Sequence, residues 1–304
     1  MGLACVSLAN DALSLLVTRS VGPRVISLKL NGKENIFAEL PGVTLDFPGD
    51  DVFHMWGGHR LWHAPEIKRR TYIPDNKPVT IEEHAQALHV TAPIEPETGL
   101  QKTLRITLPD DSPTVIVDHI LTNHGLWAVE TAPWAITQLK PGGVAILPQQ
   151  ATAVDPDGVR ANRSLVLWPY TNMRSPYINW GNRAILVRAL LERGKLKLGF
   201  PNPAGWLAYY REGLLFIKRA SFVPDAYYFE RDSSSQCFCN PDFLELETSG
   251  PCSSVAPGRS ITHREVWELH GDISLDFSIV EPAQFLEQLI ARLDIHASSP
   301  HLKG

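Results

Sequence analysis

Two short stretches of this chain concentrate side chains capable of chemistry. The first, Trp56-Gly57-Gly58-His59-Arg60-Leu61-Trp62-His63-Ala64-Pro65-Glu66, holds two tryptophans, two histidines, an arginine and a glutamate. A core segment of that composition would need a partner for every polar head. Flat aromatic faces beside short-range donors and acceptors instead suit the C–H surface and hydroxyls of a pyranose. The glycine pair beside His-Arg reads as backbone making a close approach to a ligand. The second stretch is Phe243-Leu244-Glu245-Leu246-Glu247-Thr248. Strand alternation sets Glu245 and Glu247 on one face together with Phe243. In a cleft, two carboxylates about 7 Å apart along a strand repel each other and lose water, which raises one pKa towards general acid–base use. Facing solvent, the same pair is an ordinary polar strand face.

Weaker clusters accompany these. In Tyr177-Ile178-Asn179-Trp180-Gly181-Asn182-Arg183, Trp180 offers a stacking platform and Asn182 or Arg183 hydrogen bonds to sugar oxygens. The competing reading is an edge-strand turn with a partly buried indole. Lys218-Arg219 pairs two cations that suit a phosphate or uronate, or are simply solvated. His54, His59, His63 and Glu66 are metal-ligand types, but their spacing fits no zinc signature and the helical HExxH pattern is missing. No metal and no cofactor is expected. A nucleophile elbow, a phosphate-cradling loop and a dinucleotide fingerprint are all lacking.

The elements that must hold these residues are mostly short strands. Leu13–Val17 leads through Val21-Gly22-Pro23 into Arg24–Leu30, and Asn31-Gly32 is a strong hairpin signal. Thr103–Leu108 alternates with period two, and Thr114–Leu121 follows a turn at Asp110-Asp111-Ser112-Pro113. Further strands are expected over Ala184–Leu191, Lys195–Phe200, Trp206–Tyr210, Leu214–Arg219, Phe243–Glu247 and Thr262–His270. Many strands separated by Pro, Gly, Asn and Asp turns predict an all-β, large antiparallel sandwich or barrel. After Glu281-Pro282, apolar residues recur at three and four from Phe285 to Leu293, which predicts an amphipathic C-terminal helix over about 281–295. No linker or repeat interrupts the pattern, so a single domain over residues 1–304 is expected, with its core over about 10–272.

Composition narrows the partners. Lys and Arg number 28 against 33 Asp and Glu, a net charge of −5 without blocks of like charge. That balance argues against nucleic acid and against an anionic membrane surface. The longest apolar runs fall short of the roughly 20 residues that span a bilayer. Four cysteines in so long a chain do not read as a disulfide framework. Leu3-Ala4-Cys5 lacks the charged and apolar regions of a lipoprotein signal, and Val6 stands where myristoylation needs Ser or Thr. The expectation is a cytoplasmic monomer or homodimer whose partner is a small-molecule carbohydrate.

Several ordered segments together resemble a known family. Val21-Gly22-Pro23-Arg24-Val25-Ile26-Ser27-Leu28 to Asn31-Gly32, then Leu121-Thr122-Asn123-His124-Gly125, then Phe243 to Thr248 with Ala256-Pro257-Gly258, are similar to the galactose mutarotase-like (aldose 1-epimerase-like) proteins. The likeness is nearest to an uncharacterised bacterial branch with a Gly-Gly-His/Lys-Leu-Trp-x-Ala-Pro-Glu segment, and it runs over most of residues 13–270. It implies a β-supersandwich whose concave cleft binds a monosaccharide or sugar terminus. It also implies acid–base ring opening, with a glutamate base that falls on Glu247. The family's acid histidine belongs to a His-x-Tyr-Phe-like segment, but this chain has Ala132-Pro133-Trp134-Ala135 there. His124 falls in the preceding turn. The acid role therefore passes to His59 or His63, with Arg60, Trp62, Glu66, Trp180, Asn182, Arg183, Lys218 and Glu245 as sugar-binding residues. The rival readings are a non-catalytic carbohydrate-binding module and a lyase or hydrolase using Glu245 and Glu247 as a carboxylate pair. If neither histidine reaches the pocket of Glu247, the segment reads sugars and the enzyme assignment falls.

Overall fold

The computed structural model describes residues 2–47, 52–110, 112–277 and 288. The helix expected over 281–295 lies outside these, apart from Gln288. The regular secondary structure of the described chain is almost all antiparallel strand, in two large sheets and one ribbon, joined by turns and loops.

The first sheet runs, in spatial order, through Cys5–Ala9, Leu13–Thr18, Arg24–Leu30, His59–Ala64 and Val129–Leu139. It continues through Leu244–Ser249, Ser235–Cys239, Leu196–Phe200 and Val166–Leu167, with Ser253–Val255 pairing onto Val129–Leu139. The second runs Ile178–Trp180, Ala184–Arg188, Val144–Pro148, Trp206–Arg211 and Leu214–Ala220. Ser260–His270, Thr114–Asn123, Leu100–Thr107, Ala87–Thr91 and Thr80–His84 complete it. A ribbon of Glu39–Asp46 and Val52–Gly57 completes the strands.

The main core lies between the two sheets. Leu61, Leu139, Leu244, Leu246, Leu196 and Leu198 from the first meet Val115, Val117, Leu207, Phe216 and Trp267 from the second. A smaller apolar cluster covers the opposite face of the first sheet, where Phe53 of the ribbon packs with Trp62, Ala132, Trp134 and Ile136. The first sheet is thus covered on both faces, which explains why Leu244–Ser249 is buried at every residue despite its two glutamates.

Two local expectations change. Asn31-Gly32 turns the chain, but the following residues form only an isolated bridge, Phe37 to Leu139. The Asn35 side chain accepts the Leu28 and Phe37 amides, ending the ladder locally. The Gly57-Gly58 pair makes its close approach to backbone and not to a ligand. A Cβ on Gly57 would lie 2.0 Å from the Ala38 carbonyl oxygen, and one on Gly58 would lie 2.2 Å from that of Val25. Both residues also have positive φ, 91° and 71°. Gly58→Ala is therefore expected to cost more than about 2 kcal/mol from strain and overpacking. Chemical denaturation checks this, since an unchanged midpoint would contradict the contact.

Among the described residues, no helix is long and apolar enough to cross a membrane.

Candidate functional site

Antiparallel register sorts the chemistry of the first sheet into two faces. Residues paired across strands share a face, and neighbours along a strand alternate. Arg60 pairs with Ile136, Ile136 with Glu247, and Glu247 with Gln236. Gln138 pairs with Glu245, Glu245 with Phe238, and Phe238 with Lys197. Together with Trp62 and Trp134, these side chains occupy the outer face of the sheet, the face on which the ribbon packs against Trp62 and Trp134. His59 pairs with Thr137, and Thr137 with Leu246, which puts the histidine on the inner face between the sheets.

On the outer face the two glutamates have different partners. Glu247 Oε2 accepts from Lys197 Nζ at 2.9 Å and from Trp134 Nε1 at 2.9 Å. Its other oxygen, Oε1, is buried without a hydrogen-bond partner. Glu245 Oε1 accepts from Gln138 Nε2 at 2.9 Å and from Arg60 at 3.3 Å. The Arg60 guanidinium lies 4.3 Å from the Trp62 ring centre and 5.6 Å from that of Phe53. Trp62 is in turn packed against Trp134 and Tyr72, whose hydroxyl donates to Glu66 at 2.5 Å. Lys197 lies between the rings of Trp134 and Trp168, 4.8 Å from each centre.

Burial and mutual repulsion push the Glu245 carboxyl up to about 7. Burial raises Glu247 as well, but Lys197 works against it through charge and hydrogen bond. Lys197 is itself raised: burial would lower it, and Glu247 outweighs that. Both carboxyls of the pair are therefore raised, Glu245 into the neutral range, while Lys197 favours the charged form of Glu247. The linkage has a definite sign. A carboxyl whose folded pKa lies above its ordinary value of 4.5 contributes stability that is fully present below that value and is lost as pH rises to about 7. The buried neutral histidines work in the opposite direction below their ordinary pKa. The contribution is therefore read as a difference: in thermal unfolding across that window, Glu245→Gln should gain stability relative to the parent protein as pH rises. An equal slope in the variant would assign the contribution elsewhere.

The histidines belong to a different network. His59 Nδ1 lies 2.9 Å from Thr137 Oγ1, and its Nε2 lies 2.6 Å from His119 Nε2. Lys218 Nζ donates to Thr137 Oγ1 at 3.0 Å. Because the His263 carbonyl can only accept, neutral rings fix the direction, and the Thr137 hydroxyl donates to His59 Nδ1. His59 then donates from Nε2 to His119, and His119 Nδ1 donates to the His263 carbonyl at 2.9 Å. Both rings are neutral in this chain of donors. Burial pushes both pKa values down; His119 and Lys218 press further on His59, and Lys218 on His119. Lys218 also pairs with Glu265 at 2.9 Å and reaches the Ala135 and Leu246 carbonyls at 3.1 and 3.0 Å. The donor atoms of His59, His119 and Glu265 fall within 4.8 Å of one another. The ammonium of Lys218 already supplies the positive charge that a metal would bring there.

The expected pairing of Glu247 with His59 or His63 across one cleft is thus not what the structure forms. His59, His63 and Lys218 are all inner-face residues, because a strand cannot point adjacent side chains the same way. His63 lies 3.4 Å from Glu95 Oε2, with Arg70 Nε donating to its Nδ1 at 3.4 Å. Trp180, Asn182 and Arg183 sit on the far edge of the second sheet, where the Trp180 indole donates to the Met173 carbonyl at 3.1 Å. They are not brought to the glutamates. Arg60, Trp62 and Glu245 are, and exposed Glu66 joins them through Tyr72.

Four contributors were missed from sequence: Lys197, Gln236, Gln138 and Trp134. Lys197 carried a signal, because Leu196, Leu198 and Phe200 alternate around it as the inner side of a strand. Gln236 Oε1 is, like Glu247 Oε1, buried and unpartnered, and the two residues are direct cross-strand partners. The Nε of Arg60 is a third buried polar atom without a partner on this face.

No protein-family model matches the sequence, and no curated protein matches it. Solved structures do match in fold. A galactose mutarotase-like protein from Lactobacillus casei aligns with TM-score 0.53 and 12% identity over 88% of this chain and all of its own. A galactose mutarotase related enzyme from Lactobacillus acidophilus gives 0.54 and 8% over 89% of this chain and 99% of its own. A TPR-domain containing protein from Parabacteroides distasonis gives 0.58 and 16% over 91% of this chain, but only 48% of its own. With the two large antiparallel sheets and their strand order, these likenesses assign the architecture: the chain has the β-sandwich fold of the galactose mutarotase-like proteins.

Proposed function

We propose that the outer face of the first sheet, around Glu247, Gln236 and Arg60, binds a carbohydrate. The observation that carries this reading is the set of buried polar atoms left without partners there: two acceptors, Glu247 Oε1 and Gln236 Oε1, and one donor, Arg60 Nε. Buried polar atoms are nearly always paired, so neighbouring orphans of both kinds mark a place that a ligand completes. A sugar is the fitting complement, because each hydroxyl both donates and accepts. The aromatic rings of Trp62, Trp134, Tyr72 and Phe53 supply apolar surface around the same spot. The fold's likeness to mutarotase-related proteins agrees with this reading.

Titration with neutral hexoses, pentoses and uronates, followed by ligand NMR or calorimetry, tests the proposal. Saturable binding of at least one sugar is expected. Gln236→Leu should weaken it by roughly three- to tenfold, the value of one hydrogen bond. Binding by none of them, or binding indifferent to Gln236, would refute the assignment.

A second reading adds catalysis, and the proton on Glu245 favours it. A protonated and an ionised carboxyl side by side form an acid–base pair, with Glu247 taking a hydroxyl proton and Glu245 giving one. The acid in this reading is a carboxyl and not a histidine, since His59 and His63 lie on the opposite face of the sheet from Glu247. Exchange between sugar anomers, or cleavage of a glycosidic bond, is the measurable consequence. The rate should fall as pH rises through about 7, where Glu245 loses the proton it donates.

A further inference from the structure

Far from the carboxylates, the Thr80–His84 and Ala87–Thr91 strands form a hairpin at the edge of the second sheet. We propose that its outward face is a binding site for a divalent transition ion of the Zn2+, Ni2+ or Cu2+ class, held by Glu82, His84 and His89.

The placement follows from the register. Ile81 pairs with Val90 and Glu83 with Leu88. Leu88 and Val90 are buried in the core, so that face of the hairpin is the inner one. Glu82 pairs with His89, and His84 lies two residues from Glu82, which sets all three on the outer face. The rings of His84 and His89 are 4.8 Å apart between centres, and one donor atom from each of the three residues lies within 4.8 Å of the others. Bonds of about 2.0–2.2 Å to a tetrahedral ion would draw the donors to roughly 3.3 Å apart. Glu82 and His84 are exposed and His89 half-buried, so rotation about side-chain bonds is free to close that gap.

The neighbours leave this donor set available. Arg105 is the cross-strand partner of His89 on its other side, but its guanidinium is committed to Asp118, with Nε 2.8 Å from Oδ2. Glu83 is turned to the opposite face and paired with Arg19. The two imidazoles are borderline donors that select zinc, nickel or copper over the hard ions calcium and magnesium, and the carboxylate, a hard donor these ions also accept, adds charge neutralisation. Three ligands leave the remaining coordination to water or to a group from outside the chain. The ion would also fasten the edge strand Thr80–His84 to its neighbour.

The experiment is calorimetric titration of the full chain, stripped with chelator, with Zn2+ at neutral pH, alongside Ca2+ and Mg2+. One saturable Zn2+ equivalent is expected, with a rise in melting temperature as the ion accumulates. His84→Ala and His89→Ala should each weaken it by at least about tenfold, with circular dichroism confirming that these surface variants keep their fold. No saturable uptake would overturn the proposal. So would uptake that survives in the double variant, as an ion held by His59 and His119 would, or Ca2+ or Mg2+ binding of equal strength.

Discussion

Lys218→Met is expected to destabilise the protein by roughly 3–5 kcal/mol, the cost of removing one partner from a buried ion pair. Both Lys218 and Glu265 are inaccessible to solvent. Glu265 also accepts from the Thr248 hydroxyl and from Trp267 Nε1 at 2.7 Å, and the lysine is what holds its carboxylate charged against burial. The effect extends beyond one pair. The ammonium binds the backbone of Ala135 and Leu246 and the side chain of Thr137, so it ties together, from behind, the two strands that carry Trp134, Gln138, Glu245 and Glu247. Denaturant unfolding monitored by tryptophan fluorescence measures the loss. Lys218→Met with Glu265→Gln should recover most of it, because the uncompensated charge is then gone. A single variant as stable as the parent would refute the role given to this pair.

Glu247→Gln is expected to lower any turnover by about 100- to 10,000-fold, the usual contribution of a positioned general base. The substitution keeps the shape of the side chain and an oxygen that accepts from Lys197 and Trp134, but it removes the carboxylate. Sugar binding should change far less than turnover, since Gln236 and Arg60 remain on the same face. Rates of anomer exchange or bond cleavage, measured beside binding isotherms for the same sugar, separate the two effects. If turnover survives in Glu247→Gln, the carboxylate pair is not the catalyst. If no sugar turns over with the parent protein either, the face is a binding site alone.

Much of the site was legible in Leu244–Ser249 because a period of two is a property of the chain itself. Placing Glu245, Glu247 and Phe243 on one face required only that the segment be a strand. The same rule applied to His59–Ala64 would have separated His59 and His63 from Arg60 and Trp62. The segment's mixed composition and its glycine pair point to a ligand-contacting stretch and mask the regular strand within it. The glycines proved to be required by crowding against Ala38 and Val25, residues some twenty to thirty positions earlier in the chain. Trp180, Asn182, Arg183 and Lys218 had suitable chemistry, but composition carries no information about which sheet, or which face of it, a strand will join.

The sequence by itself determined the strand-rich architecture, the shared face of the two glutamates and the likeness to mutarotase-like proteins. Each of these rests on local alternation or on ordered local motifs. Only the tertiary structure decided that Lys197 and Gln236 flank Glu247, that Lys218 lies behind it, and that the histidines face away. Those outcomes depend on which distant strands pair and in what register, a choice made by burying two whole sheets together and not by any residue's neighbours in the chain.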